Sequence, residues 1–435
     1  MLVVSKFGGS SVANTTQFKK VKSIVLGHES RNAVIVSALG KKEKGDSKIT
    51  DLLYLLHAHL KYNVHYDSIW ELITSRFMKV KNELELTFDL ESEFIKLKGE
   101  LSKDMSEEYL VSRGEYLTAK LMSEYLGYTF VDAADLIKFN YDGSVNYELS
   151  YSLIDKAFIK YGKVCIPGFY GSYPNGTIKT FSRGGSDISG AIIASGLKAT
   201  YYENWTDVSG ILMADPRIIP NAKIIKEITY TELRELSYMG ANVLHEETVF
   251  PVQTCNIPIK ILNTNAPLDP GTIIREDCTD KSQIITGISG KKNFTSFNIT
   301  KEQKVSKLKS LKNVLNIFES FQLEVEHIPT SIDSFSVVVS SSEVNKCKYD
   351  LLTVLKNDSF VQDVTIDEDI ALVAVVGRNM VLKPGISGKI FGIVGNHNIN
   401  IKMIAQGAQE INIIVGVSNS DFNNTINALY NDLVE

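Results

Sequence analysis

The sequence predicts an α/β chain. A three-layer αβα sandwich fills residues 1–285, and two small modules of the ferredoxin-like βαββαβ kind follow. Three observations lead there. Short apolar, β-rich runs alternate with helical patterns over about the first 285 residues. Several of those runs are continuously apolar rather than alternating, as strands buried on both faces are. Beyond residue 286 the segments "NVLNIFESFQLEVEHI" and "SGKIFGIVGNHNINIKMI" resemble each other, and an internal repeat means tandem copies of one module.

In chain order, the strands of the first part are expected at 2–7, 33–39, 128–133, 163–169, 177–181, 199–205 and 257–263. A helix over 14–26 opens at Asn14…Gln17 and carries Phe18, Val21 and Val25 as one apolar stripe. A long helical insert occupies about 50–126. "TGISGKKN" reads as a connector (286–293) on its glycines and lysines. The first module (294–368) then reads strand 294–300, helix 306–320, "LEVEHIPT", "SFSVVVS", helix 343–356 and strand 360–366. The second (369–435) reads strand 370–377, helix 386–396, "INIKMIAQ", "EINIIVGV" and helix 421–433. It lacks a terminal strand, so its sheet is expected to be completed by its neighbour.

Composition removes several function classes. At 435 residues the chain exceeds one ordinary core. It is 44% hydrophobic and 22% charged, with a formal net charge of −5 and a mean hydropathy of −0.02. That balance gives nucleic acid or an anionic membrane no reason to bind. No apolar stretch is long enough to cross a bilayer, and no basic segment leads into an apolar core at the start. Cys165, Cys255, Cys278 and Cys347 are scattered singly, so reduced thiols and a cytoplasmic location are expected. The seven histidines are dispersed as well, which argues against zinc.

Within "VVSKFGGSSVANTTQFKKV" (3–21), Lys6 ends a strand, Gly8 and Gly9 make the turn, and Ser10 and Ser11 precede a helix. Such a turn exposes N–H groups to an oxyanion, and Lys6 adds a movable point charge. No Walker A loop is present. "TFSRGGSDISGAIIASGL" (180–197) repeats the theme: Arg183 is a fork suited to a carboxylate, and Asp187 is either a helix cap or a site residue. Glu115 shares an inward stripe with Val111, Thr118 and Met122. Its partner is either Arg113 or another basic residue, or a bound ammonium. "ENWTDVSGILMADPR" (203–217) brings Thr206 and Asp207 to a strand end, where α/β sheets bind ligands, and turns through Asp215-Pro216 to Arg217. "VSALGKKEKGDSKITDLL" (36–53) places Ser37 at another strand end, then a charged loop suited to a lid, then Thr50 as an expected helix N-cap.

Taken in order, "KFGGSSV", "SRGGSD", "WTDVSGI" and "DPR", with the tandem repeat, resemble aspartokinase, a member of the amino-acid kinase superfamily with two C-terminal ACT modules. The resemblance spans essentially the whole chain. It implies ATP and L-aspartate as substrates, Mg²⁺ as cofactor, and 4-phospho-L-aspartate as product, the entry step to lysine, threonine and methionine. It implies that Lys6 with Phe7, Gly8, Gly9 and Ser10 holds the transferred phosphoryl group. Asp187 would organise Mg²⁺ and that lysine. Arg183 would clamp the substrate α-carboxylate and Glu115 its ammonium, with Ser37, Thr50 and Ser186 completing the pocket. Thr206, Asp207, Leu212 and Arg217 match nucleotide-contacting positions. The chain departs from the family pattern at Asn242 and Glu246, where many members have lysine and proline, and at Leu212, where some have tyrosine.

The implied chemistry is consistent with this residue set. A β-carboxylate with an ordinary pKa of about 3.9 is already ionised at neutral pH, so no general base is required. The ACT modules imply feedback inhibition by an amino acid and a homodimer through the first module, or a tetramer built from it. In "EVEHIPTSIDSF" (324–335), Val325, Glu326, Ser331 and Asp333 match effector-binding positions, while Glu324 reads as solvated. A carboxylate at Glu326 suits lysine, whose second ammonium needs an anion; threonine offers none. The alternatives are a kinase for glutamate or an acylated amino acid, and a non-catalytic amino-acid sensor of the same fold.

Overall fold

The computed structural model describes residues 1–43, 45–182, 184–241, 244, 246–280, 282–407 and 409–434, the side chains of Glu246 and Glu247 excepted. Two compact units emerge. The first comprises 1–211, 224–230 and 243–278; the second comprises 212–223, 231–242 and 279–435.

Among the described residues, the first unit is built on ten strands. These are β1 (Val3–Phe7), β2 (Ala33–Val36), β3 (Thr129–Phe130), β4 (Val164–Pro167), β5 (Tyr170–Ser172), β6 (Ile178–Thr180), β7 (Tyr201–Thr206), β8 (Glu227–Thr229), β9 (Ile259–Asn263) and β10 (Thr272–Arg275). Eight form one sheet in the order β3-β4-β2-β1-β7-β9-β10-β8, while β5 and β6 make a separate hairpin. β1 is central and parallel to both β2 and β7, and its five residues are buried on both faces, as its apolar run demands. Its neighbours connect through α1 (Thr15–Leu26), α2 (Ile49–Lys61), α3 (Asp67–Glu83), α4 (Leu90–Glu100), α5 (Glu107–Leu126), α6 (Ala133–Leu136), α7 (Tyr147–Tyr161) and α8 (Gly185–Gly196). Helix α1 starts as expected, with the Asn14 side chain accepting from the Gln17 amide. Helices α1 to α5 pack with Phe7, Val34, Val36 and Trp205 into one core, and α8 packs against β1, β2 and β7.

The expected N-cap at Thr50 is displaced. The cap is Lys48, and Thr50 lies within the first turn of α2.

The second unit also takes up α9 (Tyr230–Tyr238) from Thr231 onward; α10 (Glu246–Thr254) belongs to the first. Its remaining elements are β11 (Gly287–Lys301), α11 (Lys307–Ser320), β12 (Val325–His327), β13 (Ser334–Ser340), α12 (Ser341–Val344), α13 (Lys348–Lys356), β14 (Val361–Val376), α14 (Ile386–Asn396), β15 (Met403–Gln406), β16 (Asn412–Val417) and α15 (Phe422–Val434). One antiparallel six-stranded sheet runs β12-β13-β11-β14-β16-β15. The stretch read as a connector is therefore the first half of a strand. Gly287–Lys291 pairs with Leu372–Val376, and Phe294–Thr300 pairs with both β13 and β14. The glycine that suggested a turn serves close approach instead: a Cβ on Gly290 would lie 2.5 Å from the Leu372 carbonyl oxygen. The strands expected separately at 360–366 and 370–377 are likewise one strand, β14. Both β11 and β14 thus pass through both modules, and the start of β11 completes the sheet of the second.

Helix α9 is fastened to this unit by a buried ion pair. Glu232 is fully buried; Arg378 donates to it from Nη1 at 3.0 and 3.2 Å and from its backbone amide at 2.9 Å, while the Thr286 hydroxyl donates at 2.5 Å. Removing one partner of such a pair leaves an uncompensated charge in a dry site. Arg378→Ala is therefore expected to destabilise the protein by about 3–5 kcal/mol, read by chemical denaturation, whereas Lys348→Ala, which removes a partly exposed pair with Glu368, should cost under about 1 kcal/mol.

Candidate active site

Two strand-to-helix turns meet around one ammonium group. Strand β1 presents Lys6, which is 6% exposed, and its Nζ is in close contact with the Asp187 carboxylate at the start of α8. Asp187 is not the helix cap: Gly184 takes that place without a side-chain cap bond, and the Asp187 carboxylate faces Lys6 instead. Parallel pairing sets Lys6 beside Asn204 on β7. Lys6 Nζ donates to Asn204 Oδ1 at 3.4 Å, and Asn204 Nδ2 donates to Asp187 Oδ1 at 3.0 Å. The Tyr202 hydroxyl, two residues earlier on the same face, donates to the Asp187 carbonyl at 3.0 Å. The opposite face of β7 is structural: Glu203 accepts from Ser5, Arg31 and the Trp205 indole.

The glycine turn is held from both sides. The Gly8 amide donates to the Trp205 carbonyl at 3.0 Å, and the Gly40 amide donates to the Gly9 carbonyl at 3.0 Å. A Cβ at Gly40 would fall 2.4 Å from Gly9, so only glycine permits this approach. The buried Arg76 of α3 reaches under the same place, donating to the Gly40 carbonyl and, at 2.5 Å, to the Ser47 carbonyl. The charged loop expected to act as a lid is thus fastened near both ends. Ser37, half-buried at the end of β2, donates its amide to the Phe7 carbonyl. Ser186 is buried in the first turn of α8, with Gly168 against it.

Glu115 is 4% exposed, and its Oε2 has no hydrogen-bond partner. The alternative of a pair with Arg113 is not what forms. Arg113 donates to the Ser112 hydroxyl and stacks over Tyr109, Tyr116 and Tyr170. Burial pushes the Glu115 pKa up from 4.5 to about 8, against smaller opposing effects from the Ala38 amide, its own backbone, Lys6 and Arg113. A buried carboxyl with an open oxygen is suited to a cationic guest.

Arg183, Asn242 and the side chain of Glu246 lie outside the described residues. Thr206 ends β7 with its hydroxyl on Asp207 at 3.1 Å, and Asp207 is exposed. Leu212 and Arg217 belong to the second unit. Arg217 is exposed and turned back onto Asp215 at 2.6 Å. In the first module, Val325 and Glu326 are half-buried and Ser331 is exposed. Asp333 pairs with Lys301 at 3.2 Å, and Glu324 is exposed as expected. Burial first, then a hydrogen bond to Glu326, pushes up the pKa of the Tyr238 phenol on α9. Asn204, Arg76 and Tyr238 were not anticipated. An asparagine within a strand buried on both faces was the available signal for the first.

The geometry is a glycine turn beside a buried lysine in an α/β unit, and the second unit holds one six-stranded antiparallel sheet. The amino acid kinase family model matches residues 1–263, and an ACT domain model matches 373–433. Aspartokinase 3 of Bacillus subtilis is 32% identical over 99% of this chain and 98% of its own. The crystal structure of Clostridium acetobutylicum aspartate kinase superimposes with a TM-score of 0.92 at 44% identity, covering 99% of both chains. Escherichia coli aspartokinase III, solved with aspartate and ADP and with lysine and aspartate, gives 0.77 at 26% identity over the full length of both chains. The chain belongs to the amino acid kinase family, among its aspartokinases. No described helix is long and apolar enough to cross a membrane, and none of the four cysteines is paired in a disulfide.

The raised Glu115 pKa has a definite sign in stability. Between pH 4.5 and about 8 the folded, ligand-free protein holds a proton that the unfolded chain has released, so stability falls as pH rises through that window. Glu115→Gln should remove this slope. Denaturation from pH 5 to 9 is expected to show the variant gaining on the wild type by at most roughly 3–5 kcal/mol; parallel curves would contradict it.

Proposed function

We propose that the protein transfers the γ-phosphoryl group of ATP to the side-chain carboxylate of L-aspartate and is inhibited by an amino acid, lysine, bound at the first ACT module. The observation that carries the catalytic reading is the Lys6 ammonium, buried beside Asp187 where two strand-to-helix turns converge. In this reading an oxygen of the ionised β-carboxylate forms a bond to the γ-phosphorus as the bond to the β–γ bridging oxygen breaks, and ADP leaves with that oxygen. No proton need move. Catalysis then rests on alignment and on cations meeting charge at the phosphoryl oxygens. Lys6 and the amides of the Phe7–Ser10 turn hold that group.

Glu115 supports an amino-acid acceptor with a free ammonium: an ammonium against its open oxygen would favour the ionised carboxylate and displace the proton it otherwise holds below about pH 8. An acylated amino acid would bring no ammonium. Arg183 is the proposed partner of the α-carboxylate, with Ser37, Thr50 and Ser186 around it. Thr206, Asp207, Leu212 and Arg217 are assigned to the nucleotide, and Arg217 is exposed enough to exchange Asp215 for a phosphate or ribose oxygen. Among the described residues no three His, Cys, Asp or Glu side chains are placed to hold a metal. Mg²⁺ fits as an ion carried on the nucleotide phosphates, with Asp187, 20% exposed at its side chain, as its protein carboxylate. It would neutralise phosphate charge there.

For regulation, Glu326 would receive the effector's ammonium, with Val325, Ser331 and Asp333 beside it. The E. coli relative was solved with lysine, and a carboxylate at this position favours a dibasic guest. A homodimer through the first module, or a tetramer of such dimers, is the assembly proposed. Feedback by lysine would place the enzyme at the entry to lysine, threonine and methionine synthesis.

A coupled ADP-release assay should show turnover with aspartate and background with glutamate or no acceptor. Lys6→Ala and Asp187→Ala should lower kcat by about 10²–10³-fold, and turnover preferring glutamate would overturn the assignment. Calorimetry should find lysine binding weakened roughly tenfold by Glu326→Gln, and threonine binding in its place would refute the effector.

A further inference from the structure

We infer that Asn204 is a positioning residue for phosphoryl transfer: its side-chain amide links the Lys6 ammonium to the Asp187 carboxylate and fixes how both are presented. The inference rests on the kinase reading above and adds a residue to it.

Asn204 is 5% exposed and sits in the middle of β7, beside Lys6 in the parallel register. A polar side chain in so dry a strand requires partners, and it has two. Its Oδ1 accepts from Lys6 Nζ at 3.4 Å, and its Nδ2 donates to Asp187 Oδ1 at 3.0 Å. The opposite amide orientation would set NH₂ against the ammonium and oxygen against the carboxylate, so charge fixes the orientation. Ammonium, amide and carboxylate thereby close a triangle.

That closure has a mechanistic use. A lysine ammonium has three donors and rotates freely about its last bond. Held by Asp187 alone it would swing with that carboxylate. Held also by Asn204 it has two donors directed, and one is left for a third group. Asp187 gains in turn: should Lys6 move toward a phosphoryl oxygen, the carboxylate keeps a hydrogen bond from the Asn204 amide instead of losing its partner in a partly dry site. Glu203 and Trp205, on the other face of the strand, take no part in this.

The test is Asn204→Leu, nearly isosteric and apolar, assayed with the full-length enzyme. The expected result is a kcat about tenfold lower, a KM for aspartate within about twofold of wild type, and a thermal midpoint within a few degrees. A purely structural role would lower the midpoint and the active fraction while leaving kcat per folded enzyme unchanged, and that outcome overturns the inference. Asn204→Ser, which removes both contacts without adding apolar bulk, is the second variant should the first not fold; it should show the same kcat loss, and wild-type kcat in it also overturns the inference. If wild-type enzyme releases no ADP with aspartate, the kinase reading fails instead, and the two failures are distinguishable.

Discussion

An ammonium taken out of water needs an anion within reach, and that requirement organises the first unit. Lys6 lies on the innermost strand of an eight-stranded sheet, nearly without solvent. Burying a charge there is tolerable only because α8 starts with Asp187 alongside. The placement of α8 follows from the sheet: it packs on β1 and β7, and Tyr202 ties its first turn to β7. The same ion pair that makes the core electrically acceptable keeps a movable cation at the mouth of two glycine turns. In the proposed reaction, structure and chemistry would share that one contact.

Much of the fold was legible because its signals are local. The continuously apolar runs gave β1, β2, β4, β7 and β9 within one to three residues at each end, and Asn14 gave the start of α1. The connector at 286–293 misled because glycine and lysine signal a turn only when no partner strand needs the space. Gly290 lies against the Leu372 carbonyl, a contact made across more than eighty residues that no window of sequence contains. The short strands β8 and β10 escaped for a related reason: β10 lies between β9 and β8 and β8 pairs with β10, so both are marked by pairing more than by their own pattern.

At the site, residue types disclosed the chemistry but not the pairings. Lys6 and Asp187 were both marked by their turns, and the structure brings them together. Glu115 was marked by its helical stripe; that Arg113 would turn to three tyrosines instead was not readable from adjacency in sequence. Asn204 was passed over because "YYENW" reads as a strand, and a polar residue there has meaning only once register puts it beside Lys6. Arg76 acts on Gly40 and Ser47 from 36 and 29 residues away, through contacts set by the packing of α3.

The shared sheet of the second unit makes its two modules inseparable. Because β11 and β14 each thread both halves, cutting the chain at residue 368 would remove most of the partners of Gly287–Lys291 and leave a bare strand edge, an invitation to intermolecular pairing. Excision or shuffling of a lone module, common where domains are beads on a string, is closed to this architecture.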